Sequence, residues 1–153
     1  MLSVNRSWPG NRVPVFDIGQ IYESGDQQDM LVRDARIGTA LASKFADKDP
    51  QPASPEHAVV LMRRHGYTTH GFDIETAVYR AIYTKINAGV QTSSALLRNA
   101  FPQGSAFATG FEFEPLTDAM VEGCKKMNTG TQDKPWRLWV AEVEKSPLYI
   151  NRG

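Results

Sequence analysis

The chain has 153 residues, 41% of them apolar, which fits one soluble domain with its own core. Its 17 basic residues balance its 17 acidic ones and no Lys/Arg run exceeds two residues, so nucleic-acid and anionic membrane partners are disfavoured. A single cysteine cannot close an intrachain disulfide, and neither a signal leader nor an apolar span of about 20 residues is found, which indicates a cytoplasmic protein.

The chain begins with a predicted arm and a short strand. Residues 1–12 mix Pro, Gly, Asn and Arg without a period, which is typical of a loosely held arm. We expect its Trp8 to dock on the body or on another subunit, because an exposed indole is uncommon. Residues 13–16 predict a strand, and Pro14 restricts that strand to a sheet edge or its own start.

An amphipathic helix is predicted next. The spacing of apolar residues over 30–45 fits one helix face, and either Asp29 or Asp34 can serve as its N-cap. Three prolines in residues 48–55 then predict a loop.

The middle of the chain predicts a β-hairpin. Residues 58–63 form an apolar run that is too short for a helix and rich in β-branched side chains, which is typical of a strand covered on both faces. Gly66 permits a tight turn into a second short strand at 67–70, closed by Gly71. His65 is therefore expected at the bend.

The rest of the chain predicts helices. After the N-cap Asp73, apolar residues recur at steps of three and four over 74–98 and predict the longest helix. A connection rich in Gly, Ala and Ser at 101–110 precedes two shorter helices at 114–127 and 134–145. The predicted fold class is mixed α/β, with few strands and a helical C-terminal third.

The three histidines do not by themselves make a metal site. A catalytic zinc needs about three protein ligands. His57 and His65 are separated by an extended strand of about 26 Å, at about 3.3 Å per residue, so they cannot hold one ion together. His70 could approach His65 across the hairpin, with Asp73 as the nearby carboxylate. We expect His57 to be solvated and His70 to be a polar turn residue, whereas a bend projects His65 beyond the sheet.

Other catalytic patterns are absent from the sequence or weak. No glycine-rich phosphate loop and no G-x-S-x-G motif occurs, which argues against nucleotide binding and serine hydrolysis. Cys124 has no histidine near it in sequence and is expected to be structural. Tyr79 and Tyr83 share a helix face, where core packing or a subunit contact is expected.

Five segments, taken together, resemble the second half of the class II aldolase/adducin head domain family. They are VPVFDIG, DMLVRD, VVLMRRHG, DIETAVYRAIYTKINAGVQ and WRLWVAEVE, in this order over about residues 12–143. The most specific element is an apolar strand, His-Gly, a short strand and then E-x-A-V-Y-R-A-I-Y. The resemblance implies a truncated α/β/α layered fold over residues 13–153, behind the arm 1–12, with a small and mostly antiparallel sheet, assembled as a homo-oligomer.

The resemblance also implies a type of chemistry. Enzymes of this family hold a divalent metal, usually zinc, with three histidines, and they cleave or form C–C bonds next to a carbonyl, or decarboxylate or epimerise related substrates. The third metal histidine corresponds to His65, before Gly66. The other two belong to an H-x-H pair in the family's first half, and residues 1–12 do not match it. We therefore expect a degenerate zinc site, since one imidazole does not hold the metal firmly.

Three functions remain open at this point. The favoured one is a shortened enzyme of lyase, cyclase or isomerase type that works by acid/base chemistry without a cofactor, on a carbonyl-bearing or acidic small molecule. Its candidate catalytic residues are Arg64, His65, Tyr67 and His70. The second is a zinc-dependent aldolase or decarboxylase whose site is completed by another chain. The third is a non-catalytic oligomeric scaffold or binding protein.

Overall fold

The computed structural model describes residues 13–46, 55–100 and 116–150. The described residues have mixed α/β content, with a three-stranded sheet and four α-helices. In chain order the elements are β1 (Val15–Phe16), a 3₁₀ turn (Ile18–Gln20), α1 (Ala35–Ala42), a second 3₁₀ turn (Ser43–Phe45), β2 (Val59–Met62), β3 (Gly66–Thr69), α2 (Ile74–Ala100), α3 (Asp118–Asn128) and α4 (Asp133–Lys145).

The chain divides into two compact units at the junction of Phe72 and Asp73. The sheet and α1 belong to the first unit, and the three long helices belong to the second. The predicted arm with Trp8, most of the loop at 48–55 and the connection at 101–110 lie outside the described residues. The division into an arm and one domain stays a prediction.

The first unit is built on a sheet with strand order β1-β2-β3. β1 pairs with β2 in parallel, with Val15 opposite Leu61, and the Leu61 N–H donates to the Pro14 carbonyl at 2.9 Å. β3 returns antiparallel to β2. The predicted hairpin and the predicted edge position of the first strand are confirmed. The sheet combines one parallel and one antiparallel pairing, so the expected mostly antiparallel character is found only for the hairpin.

Burial along β2 differs between its two halves. Val59 and Val60 are 6% and 0% exposed, whereas Leu61 is 39% exposed. The prediction of a strand covered on both faces is therefore correct for its first half only. The physical reason is that Val60 and Met62, on one face of the strand, both pack against the core, whereas the opposite face is buried at Val59 and exposed at Leu61.

A small apolar core holds the first unit together. Four of its side chains are at most 2% exposed, namely Phe16, Ile18, Ile37 and Val60. They come from β1, the first 3₁₀ turn, α1 and β2, so each element contributes one residue. The partly buried residues packed around them are Ile21, Tyr22, Met30, Ala40, Leu41, Phe45 and Met62.

Helix α1 starts later than the apolar spacing predicts. Its N-cap is Asp34, whose Oδ1 accepts a hydrogen bond from the Ile37 N–H at 2.8 Å. The alternative cap, Asp29, instead binds the Leu31 N–H at 3.1 Å in a turn. Met30 has φ 67°, which a right-handed helix does not allow. The helix prediction is wrong for residues 30–33 for this reason.

Arg36 ties the loop before α1 to the helix. Its Nη1 donates to the Ile21 carbonyl at 2.5 Å and its Nη2 to Asp26 Oδ2 at 2.6 Å, while Glu23 Oε1 lies 3.7 Å from its Nε. The same Asp26 oxygen accepts from the Glu23 N–H at 2.8 Å. The Glu23 N–H and then the Arg36 guanidinium hold the pKa of the Asp26 carboxyl below its ordinary 3.8.

The second unit begins with the predicted long helix. Asp73 caps α2 by accepting from the Thr76 N–H at 2.6 Å, which confirms the predicted start. No described helix is both long enough and apolar enough to cross a membrane. The two predicted shorter helices are also found, as α3 and α4. α3 begins at Asp118, later than the predicted start at 114, because Thr117 caps it by accepting from the Met120 N–H.

An aromatic cluster joins α2 to α4. The rings of Tyr79 and Tyr83 lie 4.5 Å apart, and each lies 6.5 Å from the ring of Trp139. The Tyr79 hydroxyl donates to Asn128 Oδ1 at 3.0 Å, which adds α3 to the cluster. Burial, and then the neighbouring Tyr83, raise the pKa of Tyr79. The predicted shared face is confirmed, and it packs inside this unit.

Replacing Val60 by Ala should lower the free energy of unfolding by about 2 kcal/mol, because it leaves a cavity at a fully buried site. The matched control is Leu61→Ala in the next residue, where the side chain is 39% exposed and the loss should stay below about 1 kcal/mol. Urea titration followed by far-ultraviolet circular dichroism measures both. Equal losses in the two variants would contradict the placement of the core.

The Asp26 contacts predict a pH dependence of stability. Because the pKa of Asp26 is lower in the folded chain than its ordinary 3.8, its contribution is present above pH 3.8 and is lost as the pH falls below that value. Asp26→Asn should therefore flatten the fall of the urea midpoint between about pH 5 and about pH 2.5. The control is Glu142→Gln, an exposed carboxylate of α4. A parental slope in Asp26→Asn would show that these contacts do not contribute.

Candidate functional site

The candidate site is the segment that connects the two strands of the hairpin, residues 63–66, which we call the bend. β2 ends at Met62 and β3 begins at Gly66, and these two residues are paired across the hairpin. The bend closes with a hydrogen bond from the His65 N–H to the Met62 carbonyl at 3.1 Å. The predicted position of His65 is confirmed. The sequence folds this way because an apolar run stops at three polar residues followed by a glycine.

Two residues of the bend have a left-handed backbone. Gly66 has φ 137°, and no atom lies within 4 Å of the position a Cβ would take. Glycine is therefore required there by the backbone conformation and not by lack of space for a side chain. Arg64 has φ 61°, at the third position of a turn where glycine is usual. A non-glycine residue pays about 1 kcal/mol there. Such strain is concentrated at functional sites, and here it coincides with a predicted site residue.

Arg63 anchors the bend to β1. Its N–H donates to the Phe16 carbonyl at 2.9 Å, and its Nε lies 2.9 Å from Asp17 Oδ2. Asp17 is the first residue after β1, and its Oδ1 accepts from the Gly19 N–H at 3.2 Å. In the sequence, Asp17 is distinguished only as the residue that follows the predicted strand 13–16. An acidic residue after one strand and a basic residue after another is a usable signal only if the two strands are known to be parallel neighbours.

The structure groups some of the predicted site residues and separates one. Arg64 and His65 are exposed side by side in the bend. Tyr67 lies two residues farther along, half-buried in β3 opposite Leu61. His70 lies past the other end of β3, about 16 Å from His65 at about 3.3 Å per residue. It does not approach His65 across the hairpin.

His70 and His57 belong to the open end of the hairpin. The His70 N–H donates to the Ala58 carbonyl at 2.9 Å, and its ring meets the Phe45 ring edge-on at 6.4 Å. His57 is only 3% exposed, so the expectation that it is solvated is wrong. The reason is that its N–H donates to the Phe45 carbonyl at 3.0 Å. This hydrogen bond holds His57, which precedes β2, against the second 3₁₀ turn, where its side chain is covered.

The described residues do not fit a zinc site. Among residues 13–46, 55–100 and 116–150, no group of three His, Cys, Asp or Glu side chains is placed to hold a metal ion. His65, for which the resemblance implies a metal-binding role, therefore has no pair of companion ligands in this part of the chain. Within the described part, the bend can supply one imidazole as a proton carrier and one guanidinium as an anion-binding group.

Comparison with known proteins adds one relative. The chain is 39% identical over 142 residues to decarboxylase tropJ of Talaromyces stipitatus, which covers 93% of this chain and 52% of tropJ. The chain thus spans about half the length of the curated relative that it matches. No protein-family model matches the chain. No solved structure matches it either.

Strain at Arg64 predicts opposite effects of glycine at two adjacent positions. Arg64→Gly should stabilise the protein by about 0.5 kcal/mol, since relief of the left-handed backbone outweighs the added entropy of the unfolded chain. Arg63→Gly should destabilise by about 1 kcal/mol, because it removes the Asp17 ion pair and gains no relief. Urea titration measures both changes. A larger loss at position 64 than at position 63 would refute the assignment of strain.

Proposed function

We propose that the chain decarboxylates a small carboxylic acid carrying a carbonyl group, by acid/base chemistry at the bend. The observation that carries the reaction type is the 39% identity, across 93% of this chain, to a protein named a decarboxylase. The residues for the chemistry are Arg64 and His65, which lie adjacent and exposed at the end of the hairpin.

The proposed reaction needs an anion-binding group and a proton donor. The bond between the carboxylate carbon and its neighbour breaks, CO₂ leaves, and the electron pair stays on the neighbouring carbon, delocalised onto the carbonyl oxygen as an enolate. Arg64 binds that oxygen through the guanidinium fork, which suits oxyanions better than an ammonium group does. His65, as imidazolium, gives a proton to the carbon, so one proton replaces one CO₂.

The other predicted residues take lesser parts in this proposal. Tyr67 is the next polar side chain along β3 and can donate a hydrogen bond to the same oxyanion. His70 has no part, because it lies at the far end of the hairpin. The proposal includes membership in the class II aldolase/adducin family, supported by the five sequence segments above, and a homo-oligomeric state expected from that family.

Turnover of a panel of β-keto acids by the full chain, measured as CO₂ release, tests the proposal. His65→Asn should lower kcat by about 100-fold or more, the usual contribution of a positioned acid or base. Arg64→Gln should lower kcat/KM by about 10- to 100-fold, as expected for one hydrogen bond to a charged group. The matched control is Arg137→Gln in α4, an exposed arginine that pairs with Asp133 along its own helix, and it should retain parental activity.

The panel also separates the competing functions. Equal activity in His65→Asn and the parent chain would refute the catalytic role of His65. Loss of activity with a chelator and its return with zinc would replace the proposal by a metal-dependent lyase whose ligands come from another chain or from residues outside the described part. No turnover by any protein, with the oligomer unchanged in His65→Asn, would favour a scaffold.

A further inference from the structure

We infer that Asp17 is a positioning residue of the proposed site, acting through Arg63 to hold Arg64 and His65 in place for a carboxylate substrate. The inference rests on the proposed function for its catalytic consequence. Its structural basis is separate: Asp17 follows β1, yet its carboxylate meets the first residue of a bend that lies more than forty residues away in sequence.

Asp17 is itself held in a defined position. Its Oδ1 accepts from the Gly19 N–H at 3.2 Å, so Oδ2 remains for Arg63 Nε at 2.9 Å. Gly19 has room for this contact because it has no side chain: a Cβ at position 19 would lie 3.3 Å from Asp17 Oδ1. The carboxylate is thus oriented by its own turn before it contacts the arginine.

Arg63 transmits this position to the bend. Its backbone is bound to the Phe16 carbonyl and its side chain to Asp17, so it is fixed at two points, the last residue of β1 and the residue that follows it. The next residue, Arg64, has φ 61° and depends on its neighbours to keep that conformation. Weakening the contact at Arg63 therefore lets the strained residue relax, and the guanidinium of Arg64 moves with it.

The ion pair also distinguishes the two adjacent arginines of the bend. Arg63 is neutralised by Asp17, whereas Arg64 makes no ion pair with any residue that the structure describes. A substrate carboxylate approaching the bend then meets one unpaired guanidinium beside His65. Two unpaired arginines would offer two competing positions for the same anion.

The expected effect is on geometry rather than on folding. A solvent-exposed ion pair contributes little to stability, and the Arg63 side chain is 56% exposed. In contrast, a displacement of about 1 Å at a catalytic group can cost about 100-fold in rate. Loss of the Asp17 charge should therefore affect turnover far more than the melting temperature.

The chain offers a closely matched control at Asp29. Its Oδ1 likewise accepts from an N–H two residues later, that of Leu31 at 3.1 Å, and its Oδ2 pairs with Arg33. The two carboxylates are similarly covered, with side chains 24% and 21% exposed for Asp17 and Asp29. Replacement of either by Asn keeps the oxygen that accepts from the backbone and removes one ion pair.

Two measurements on the full chain test the inference. Asp17→Asn should lower kcat on the keto acids about 10- to 100-fold with little change in KM, whereas Asp29→Asn should keep parental values. Arg63→Gln should show a loss similar to that of Asp17→Asn, and the double variant should lose no more than either single one, because both changes remove one interaction. Additive losses would show that Asp17 does not act through Arg63.

The second measurement needs no substrate. Amide order parameters from ¹⁵N relaxation should fall from about 0.85 to below about 0.6 at residues 64–66 in Asp17→Asn and stay high in Asp29→Asn. A rigid bend in Asp17→Asn overturns the inference whether or not the chain is a decarboxylase. A mobile bend with parental turnover in Asp17→Asn overturns the catalytic consequence. If His65→Asn is inactive and Asp17→Asn is fully active, the proposed function stands and only the role of Asp17 is removed.

Discussion

The parallel pairing of β1 with β2 is the interaction on which the candidate site depends. Because the two strands run the same way, their carboxyl ends meet at one edge of the sheet, and the residue after β1 lies beside the residue after β2. Asp17 and Arg63 meet at 2.9 Å for that reason. An antiparallel pairing would have placed the start of one strand beside the end of the other and left the bend without this anchor.

The bend combines stiffness with exposure. Met62 and Gly66 pair below it, the Phe16 carbonyl and Asp17 hold Arg63 at its side, and Arg64 and His65 lie exposed at its end. A strained backbone persists only where the surroundings determine it, and the anchored side of the bend supplies those surroundings for Arg64. Such an arrangement keeps functional groups in an orientation that a flexible loop does not maintain.

The likeness to decarboxylase tropJ and the structure bear on different questions. The likeness supports the proposed type of reaction, and it extends over 93% of this chain but 52% of the relative. The structure concerns where the predicted residues lie: Arg64 and His65 are exposed in the bend, and His70 lies past the other end of β3. The helical unit has a different character, since its aromatic cluster of Tyr79, Tyr83 and Trp139 is packing between helices.

The sequence by itself determined the hairpin, the long helix after Asp73 and the place of His65 at a bend, because each depends on residues near one another in the chain. It could not locate the start of α1, since Asp29 and Asp34 are both suitable N-caps for the same apolar spacing. The positive φ of Met30 and the capping hydrogen bond of Asp34 decide between them. Only the tertiary structure decided that His57 is buried, that His70 is remote from His65 and that Asp17 meets Arg63. The remoteness of His70 and the contact of Asp17 with Arg63 depend on which strands become neighbours and in what direction they run. The burial of His57 depends on its hydrogen bond to the Phe45 carbonyl in the second 3₁₀ turn. All three are settled by contacts between residues separated in sequence rather than by local preference.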